Sequence, residues 1–303
     1  MTTYRRALVT GATGFIGAHL TRRLGELGVE VHGVSRNAQD SRHGETWHVA
    51  DLRDAVTTAR LFASARPDVV FHLASEVDGA RRSDVVRLTL ENNLASTVNV
   101  LTAAASSPGV RIVLAGSAEE PRTANGHAAP PSPYAMAKWA ATEYARLFHR
   151  LWDVPYTVLR PTMVYGPDQR DTRKIVPYVT LSLLHGRQPA LTSGAKSADW
   201  VYVDDVVTAF VAASDSSRAE GRIIDIGTGT GRSVREAVEL LFQIVGNPLP
   251  PRFGTIADRP MDITQVADTT PARDLLGWRP TVDLEEGLRR TVAWYTRHTP
   301  RSA

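Results

Sequence analysis

The chain has 303 residues, a hydrophobic fraction of 43%, a charged fraction of 22% and a formal net charge of only +3, the composition of an ordinary soluble protein with one large domain, or one large and one small. It has no cysteine, which excludes disulfides, thiolate nucleophiles and cysteine-ligated metals, and no metal site is expected. No apolar run approaches the roughly 18 residues of a membrane helix, no apolar signal region opens the chain, and Arg81-Arg82 and Arg289-Arg290 are isolated basic pairs, so neither a membrane nor a nucleic-acid partner is expected and a cytoplasmic location is.

The first apolar run, Ala7-Leu8-Val9, leads into Thr10-Gly-Ala-Thr-Gly-Phe-Ile-Gly17 and then a helical pattern to about Leu27. Gly11 lets the chain turn directly after a strand, Gly14 leaves a pyrophosphate room to reach the backbone, and Gly17 lets the helix pack close. The free N–H groups of the first turn, around Phe15 and Ile16, would face the phosphates, helped by the positive end of the helix dipole. Glycines alone mark only turns; between a readable strand and a readable helix they mark a dinucleotide site.

Further strands are expected at Glu30–Ser35, Trp47–Ala50, Val69–Leu73, Ile112–Ala115 and Tyr156–Leu159, and helices at Ala55–Ala65, Val85–Ala105, Tyr134–Leu151 and Asp204–Ser214. Short apolar strands between longer helices predict an α/β fold with a parallel sheet covered on both faces. The second strand ends Val34-Ser35-Arg36-Asn37, roughly 20 residues beyond the glycines, where an acid would hold the ribose 2′-hydroxyl of NAD. Ser35 and Arg36 instead offer a hydroxyl and a guanidinium, which suit the 2′-phosphate of NADP(H); the plainer reading is an exposed loop arginine. Asp51-Leu52, after the third strand, would receive the adenine amine or cap a helix.

Ser117 ends the apolar strand that begins at Arg111, at the edge where open α/β sheets bind ligands. Tyr134 and Lys138 are four apart on an expected helix and share a face. An ammonium beside a phenol favours the phenolate and lowers its pKa, which lets Tyr134 exchange a proton with a substrate oxygen while Ser117 holds that oxygen.

With these residues in view, the chain resembles an extended short-chain dehydrogenase/reductase of the NAD-dependent epimerase/dehydratase family. The matches are Thr10–Gly17, Asp51-Leu52, His72-Leu73-Ala74, Asn93, Ser117, Tyr134–Lys138, Arg160-Pro161, Val164–Pro167, Val201–Asp205 and Leu276–Pro280. The resemblance implies a Rossmann-type doubly wound domain over 1–165, with a segment near 195–215, and a smaller, discontinuous C-terminal substrate domain over 166–303. It implies that Leu73, Ala74, Ser75 and Pro161 line the cofactor cleft, that Asn93 steadies the central helix, and that Lys138 also binds the nicotinamide ribose. Family members often dimerise through helices corresponding to Val85–Ala105 and Tyr134–Leu151, so a homodimer is expected.

Ser117-Ala-Glu-Glu120 resembles the segment of GDP-4-keto-6-deoxymannose reductases. Family 4,6-dehydratases use an acid and a base beside the catalytic hydroxyl; Glu119 stands at the base, and Ala118 has no proton to give. Lys174–Pro177 resembles the start of a substrate-contacting helix. Ser233-x-x-Glu236 is a capping box for a helix to about Val245, Thr270-Pro271 opens a short helix that Gly277 ends, and Leu284 to Tyr295 reads as a last amphipathic helix. Arg259 matches a family arginine that clamps the substrate diphosphate. Met163 and Ala198 replace a family asparagine and arginine that touch the nucleotide sugar, with Thr162 and Lys196 as nearby substitutes and Glu119 as a further sugar contact.

The expectation is an NADPH-dependent reductase of a dTDP-linked 4-keto-6-deoxy sugar, of the kind used in antibiotic pathways. Tyr134 would be the acid, supported by Lys138 and Ser117. The alternatives are an NAD-dependent nucleotide-sugar 4-epimerase, a 4,6-dehydratase, and a non-catalytic NADP-sensing or scaffold protein.

Overall fold

The computed structural model describes residues 2–122, 129–258 and 264–299. The chain divides into two compact units. The first comprises 1–161, 207–225 and 270–278; the second comprises 162–206, 226–269 and 279–303. The first unit therefore closes at Pro161 rather than 165, and the segments that return to it differ from the expected one at 195–215. The strand at 197–202 belongs to the second unit, and 270–278 to the first.

The first unit is built on a seven-stranded sheet. Its strands are β1 (Arg6–Thr10), β2 (Glu30–Ser35), β3 (Thr46–Val49), β4 (Val69–His72), β5 (Arg111–Ala115), β6 (Tyr156–Pro161) and β9 (Arg222–Ile226), in the order β3-β2-β1-β4-β5-β6-β9. The pairings from β3 to β6 are all parallel. The order reverses at β1, between β2 and β4, which is where a doubly wound sheet opens a ligand crevice at its carboxyl ends. Leu8, Val70, Ile112 and Val158 are fully buried because both sheet faces are covered. They form a core with Leu61 and Phe62 of α2 (Ala55–Ala65), Val100 and Leu101 of α4 (Ser96–Ala105), and Phe148 of α5 (Pro133–Trp152). The first helix, α1, spans Phe15–Glu26.

The expected helix over Val85–Ala105 is not one regular helix. A short 3-10 turn at Ser83–Val85 leads into α3 (Val86–Thr89), then a wide π turn at Leu90–Ala95, then α4. Asn93 explains the break. It is 1% exposed, its side chain accepts the Glu76 N–H at 2.6 Å, and it donates to the Glu76 carbonyl at 2.9 Å. A π turn adds a residue to the helical circuit and turns a side chain inward, here an amide that ties the helix to a strand-end loop.

The second unit has a three-stranded sheet, β10 (Gly231–Ser233), β8 (Ser197–Tyr202) and β7 (Met163–Tyr165). Its core joins Tyr165, Trp200 and Tyr202 to α6 (Ile175–Leu184), α8 (Val234–Val245) and α10 (Leu284–His298). The expected capping box is present. Ser233 and Glu236 bond each other's backbone N–H groups, and α8 ends at Gly246 with φ +75°. α7 spans Val203–Asp215 and α9 spans Thr270–Leu276, followed by Gly277 at φ +64°. Among the described residues, no helix is long and apolar enough to cross a membrane.

Candidate active site

The glycine turn sits at the carboxyl end of β1. Gly11 adopts φ +67°, and a Cβ there would lie 2.7 Å from the Ala74 nitrogen, so two backbones meet where only glycine fits. The Gly14 N–H closes the turn on the Gly11 carbonyl at 2.9 Å. A Cβ on Gly17 would overlap that same carbonyl, so this glycine lets the helix sit on the turn rather than on the sheet. α2, α5, α8 and α10 are capped by Asp54, Ser132, Ser233 and Asp283, whereas Gly14 gives α1 no side-chain cap and its first turn holds no acid. An uncapped positive helix end beside a glycine cradle fits the diphosphate of a dinucleotide.

β4 delivers the opposite wall through a hydrogen-bond chain. Thr97 donates to the Asn93 carbonyl at 2.6 Å, so its oxygen accepts from His72 Nε2–H at 3.0 Å. His72 Nδ1 then accepts the Thr10 hydroxyl at 2.8 Å, and that oxygen accepts the Ala74 N–H at 3.2 Å. Burial, aided by the Lys138 charge, holds the His72 pKa down at about 3, so the ring is neutral with a defined tautomer. The chain ties the glycine turn, the Leu73-Ala74-Ser75 wall and Asn93 together. His72 enters the family resemblance only within His72-Leu73-Ala74. Its signal is a histidine ending a strand of four buried residues.

Ser117, Tyr134 and Lys138 come together at the end of β5. Ser132 caps α5 by accepting the Ala135 N–H at 3.1 Å, and Pro133 opens the helix, which fixes where Tyr134 leaves its first turn. Ser117 is close enough to the Tyr134 phenol to lower its pKa, and the Ser117 oxygen accepts the Glu119 N–H at 3.1 Å. Lys138 is buried, donates to the Ala115 carbonyl at 2.7 Å, and lies 6.0 Å from the centre of the Tyr134 ring. Burial lowers its pKa to about 8, against the raising effect of Glu120.

The phenol corrects one expectation. Its pKa is raised rather than lowered: loss of water dominates, Ser117 only opposes it, and Glu119 and Glu120 push the same way as the lost water. Spacing on a helix shows that an ammonium is near but not how much water is lost.

At the ends of β2 and β3, Arg36 is exposed and Ser35 accepts the Asn37 N–H at 3.2 Å. Asp54 rather than Asp51 caps α2. Asp51 is held by Arg53, with the closest contact at 2.6 Å, and Arg53 is the main cause of its lowered pKa, with Arg36 adding to it. The neighbouring Leu52 carbonyl accepts from Asn99 of α4 at 2.8 Å.

Residues 7–227 match the NAD dependent epimerase/dehydratase family. The chain belongs to that family. It is 33% identical to the UDP-glucose 4-epimerase of Mycolicibacterium smegmatis, over 96% of this chain and 98% of the relative. It superposes on the UDP-glucose 4-epimerase of Thermotoga maritima with UDP-glucose at a TM-score of 0.88, with 29% identity and 97% and 100% of the two chains covered. The Thermus thermophilus UDP-glucose 4-epimerase complex with NAD gives 0.84, also at 29% identity, with 97% and 100% covered.

Within this family frame, the Rossmann-type sheet supplies the turn at Gly11–Gly17 and the Ser117, Tyr134 and Lys138 group. Pro161 ends β6, where its carbonyl accepts the Ala118 N–H at 3.2 Å. Glu119 is half-buried, with Ser132 donating to it at 3.5 Å. Of the substrate-side residues, Thr162 and Lys196 lie in the second unit. The Thr162 hydroxyl donates to the Ile226 carbonyl at 3.3 Å, and the Lys196 carbonyl accepts the Val234 N–H at 2.8 Å. Arg259 lies outside the described residues.

Proposed function

We propose that the chain carries out hydride chemistry at C4 of a nucleoside-diphosphate hexose, as a 4-epimerase. The observation that carries this reading is that Ser117 acts on the Tyr134 phenol while Lys138 lies one turn along the same helix, 6.0 Å from the ring centre, beside an uncapped glycine-turn helix. The names of the relatives supply the sugar and the position. Tyr134 would take the proton of the C4 hydroxyl and return it, Ser117 would hold that oxygen, and Lys138 would favour the phenolate. A bound nicotinamide would accept the hydride and give it back. Gly11, Gly14, Phe15, Ile16 and Gly17 would hold the diphosphate, and Ser35, Arg36, Asn37 and Asp51 the adenosine end. The 4,6-dehydratase reading is supported by relatives of that name, such as the dTDP-glucose 4,6-dehydratase of Shigella flexneri at 27% identity over 97% of this chain, but buried Ala118 stands where the family's acid is needed.

A second reading, reduction of a 4-keto sugar with NADPH, is favoured by one observation: β2 ends at Ser35 and is followed by Arg36, with no acid at the strand end for a ribose 2′-hydroxyl. Incubation with UDP-glucose, and separately of NADPH with a dTDP-linked 4-keto-6-deoxy sugar, separates the two. An epimerase yields UDP-galactose with no net change in nicotinamide absorbance; a reductase consumes the reduced cofactor. Titration with NAD and NADP decides the cofactor, and turnover in neither incubation would sink both readings.

Homodimerisation belongs to the same proposal. Val86, Leu88, Leu90, Met136, Tyr144, Leu147 and Leu151 leave between 40 and 56% of their surface exposed on α3, the π turn and α5, which is apolar surface that a second copy would cover. Sedimentation of Leu147→Glu against the unchanged protein tests it: the variant should be monomeric.

A further inference from the structure

Glu120 is 1% exposed and has no part in the chemistry above. It follows Ser117 by three residues, and the turn folds it back. Its Oε1 accepts the Ser117 N–H at 2.7 Å, and its own N–H donates to the Ser117 carbonyl at 3.1 Å. Its Oε2 accepts the Thr142 hydroxyl at 2.9 Å. Thr142 is on α5, one turn beyond Lys138 and two beyond Tyr134. One side chain thus joins the strand-end turn carrying Ser117 to the helix carrying the other two residues. Gly116 makes the room, since a Cβ there would stand 2.6 Å from Glu120 Oε1.

Both carboxylate oxygens face donors, as the ionised form requires. Burial raises its pKa on balance, opposed only in part by the donors Ser117 and Thr142 and the charges of Arg160 and Lys138. Apolar residues would fill such a space at lower cost in stability, so the carboxylate is there for what it bonds. The charged and titratable groups facing it are Tyr134 and Lys138 of α5, Arg160 of β6 and Glu119 on its own turn. Arg160 is already matched by Asp225 of β9 at 2.8 Å, which Arg122 also approaches at 2.9 Å. His72 of β4, beside Lys138, is neutral. Lys138 itself bonds a carbonyl, and the carboxylate acting on its charge is that of Glu120.

We propose that Glu120 is a positioning residue, clamping Ser117 to the helix that bears Tyr134 and Lys138 and serving as the buried counter-charge of the Lys138 ammonium. The proposal rests on the acid–base role assigned to Tyr134 above. Its charge makes both Lys138 and Tyr134 harder to deprotonate, so removing the charge while keeping the shape shifts both titrations downward.

Lys138, Lys174 and Lys196 are the only lysines of the chain, so NMR of the full-length protein carrying isotope-labelled lysine reads Lys138 directly, with Lys138→Met assigning its signal. In Glu120→Gln the Lys138 titration should fall by about one pH unit. The pH limb of kcat/KM belonging to Tyr134 should move the same way, with KM unchanged, measured on whichever of UDP-glucose and the dTDP-linked keto sugar turns over. Thr142→Val cuts the clamp but keeps the charge. It should lower kcat about tenfold through misplacement, leave the Lys138 titration where it was, and give an interpretable result even if Glu120→Ala fails to fold. An unmoved Lys138 signal in Glu120→Gln, or wild-type kcat in Thr142→Val, overturns the proposal. Should the unchanged protein turn over neither sugar, the functional reading falls, and the lysine titration still decides the counter-charge.

Discussion

The two units bury carboxylates and polar side chains for different ends. In the second, Asp199 is fully buried and accepts from Thr228 N–H and hydroxyl, Gly229 N–H and Ala267 N–H at 2.6 to 3.1 Å. Asp205 does the same for Thr281 and Val282. Those carboxylates are saturated with backbone and hydroxyl donors, and they pin loops. In the first unit, Lys138, Glu120 and His72 are buried and Tyr134 half-buried around the end of β5, and each has a shifted pKa. Burial of charge alone therefore does not mark a reacting site. Burial among other titratable groups, whose protons remain movable, does.

Tyr134→Phe tests the chemical side of this contrast most severely. Removing the hydroxyl should lower kcat about a thousandfold while NAD(P)H binding, followed by fluorescence, and the melting temperature stay near wild type. Full activity in the variant would mean that another group moves the proton. The architectural counterpart is Asp205→Ala. It orphans the Thr281 N–H, the Thr281 hydroxyl and the Val282 N–H, and should cost about 3 kcal/mol in urea unfolding, with kcat of the folded fraction unchanged.

How much of this could be read before folding depends on range. The turn at Gly11–Gly17, the Ser233–Glu236 box and the Tyr134–Lys138 spacing are local, and local spacing dictates them. The π turn is not local, because it exists to let Asn93 reach Glu76, 17 residues earlier. β10 is three residues of glycine, arginine and serine, and only its antiparallel partner β8 makes it a strand. β9 carries Arg222 and Asp225, and Asp225 is buried only because Arg160 on β6 meets it. Nothing in the sequence beside Glu120 announced its bond to Thr142 of α5 or the room that Gly116 leaves it. The direction of the Tyr134 pKa depends on lost water, which no spacing reports.

Lys138 offers a finer measurement, since its burial should be visible in stability as well as in rate. Its pKa falls from 10.5 to about 8 on folding, so between those values the unfolded chain binds more protons than the native one. Stability then rises with pH. Below about pH 8 the ammonium's burial is a full penalty; above about 10.5 both states are neutral and the penalty is gone. Relative to Lys138→Met, the wild type should gain roughly 3 kcal/mol across that window. A flat difference would mean that the lysine is solvated, and the contrast between the units would lose its strongest member.

The smallest effect belongs to a residue that should matter to architecture alone. Ser233→Ala removes the hydroxyl that accepts the Glu236 N–H at 3.1 Å and leaves one first-turn donor of α8 unpaired. The cost should be about 1 kcal/mol, read as a lower urea midpoint with the same slope. Because Glu236 still accepts the Ser233-position N–H, now bonded at 2.7 Å, half of the reciprocal box survives and the helix should keep its start. The cap of α1 is left open on a glycine where a dinucleotide would bind, and that of α8 is closed twice over. A change in cofactor affinity on opening α8 would mean that the two helix ends are not the separate devices their capping implies.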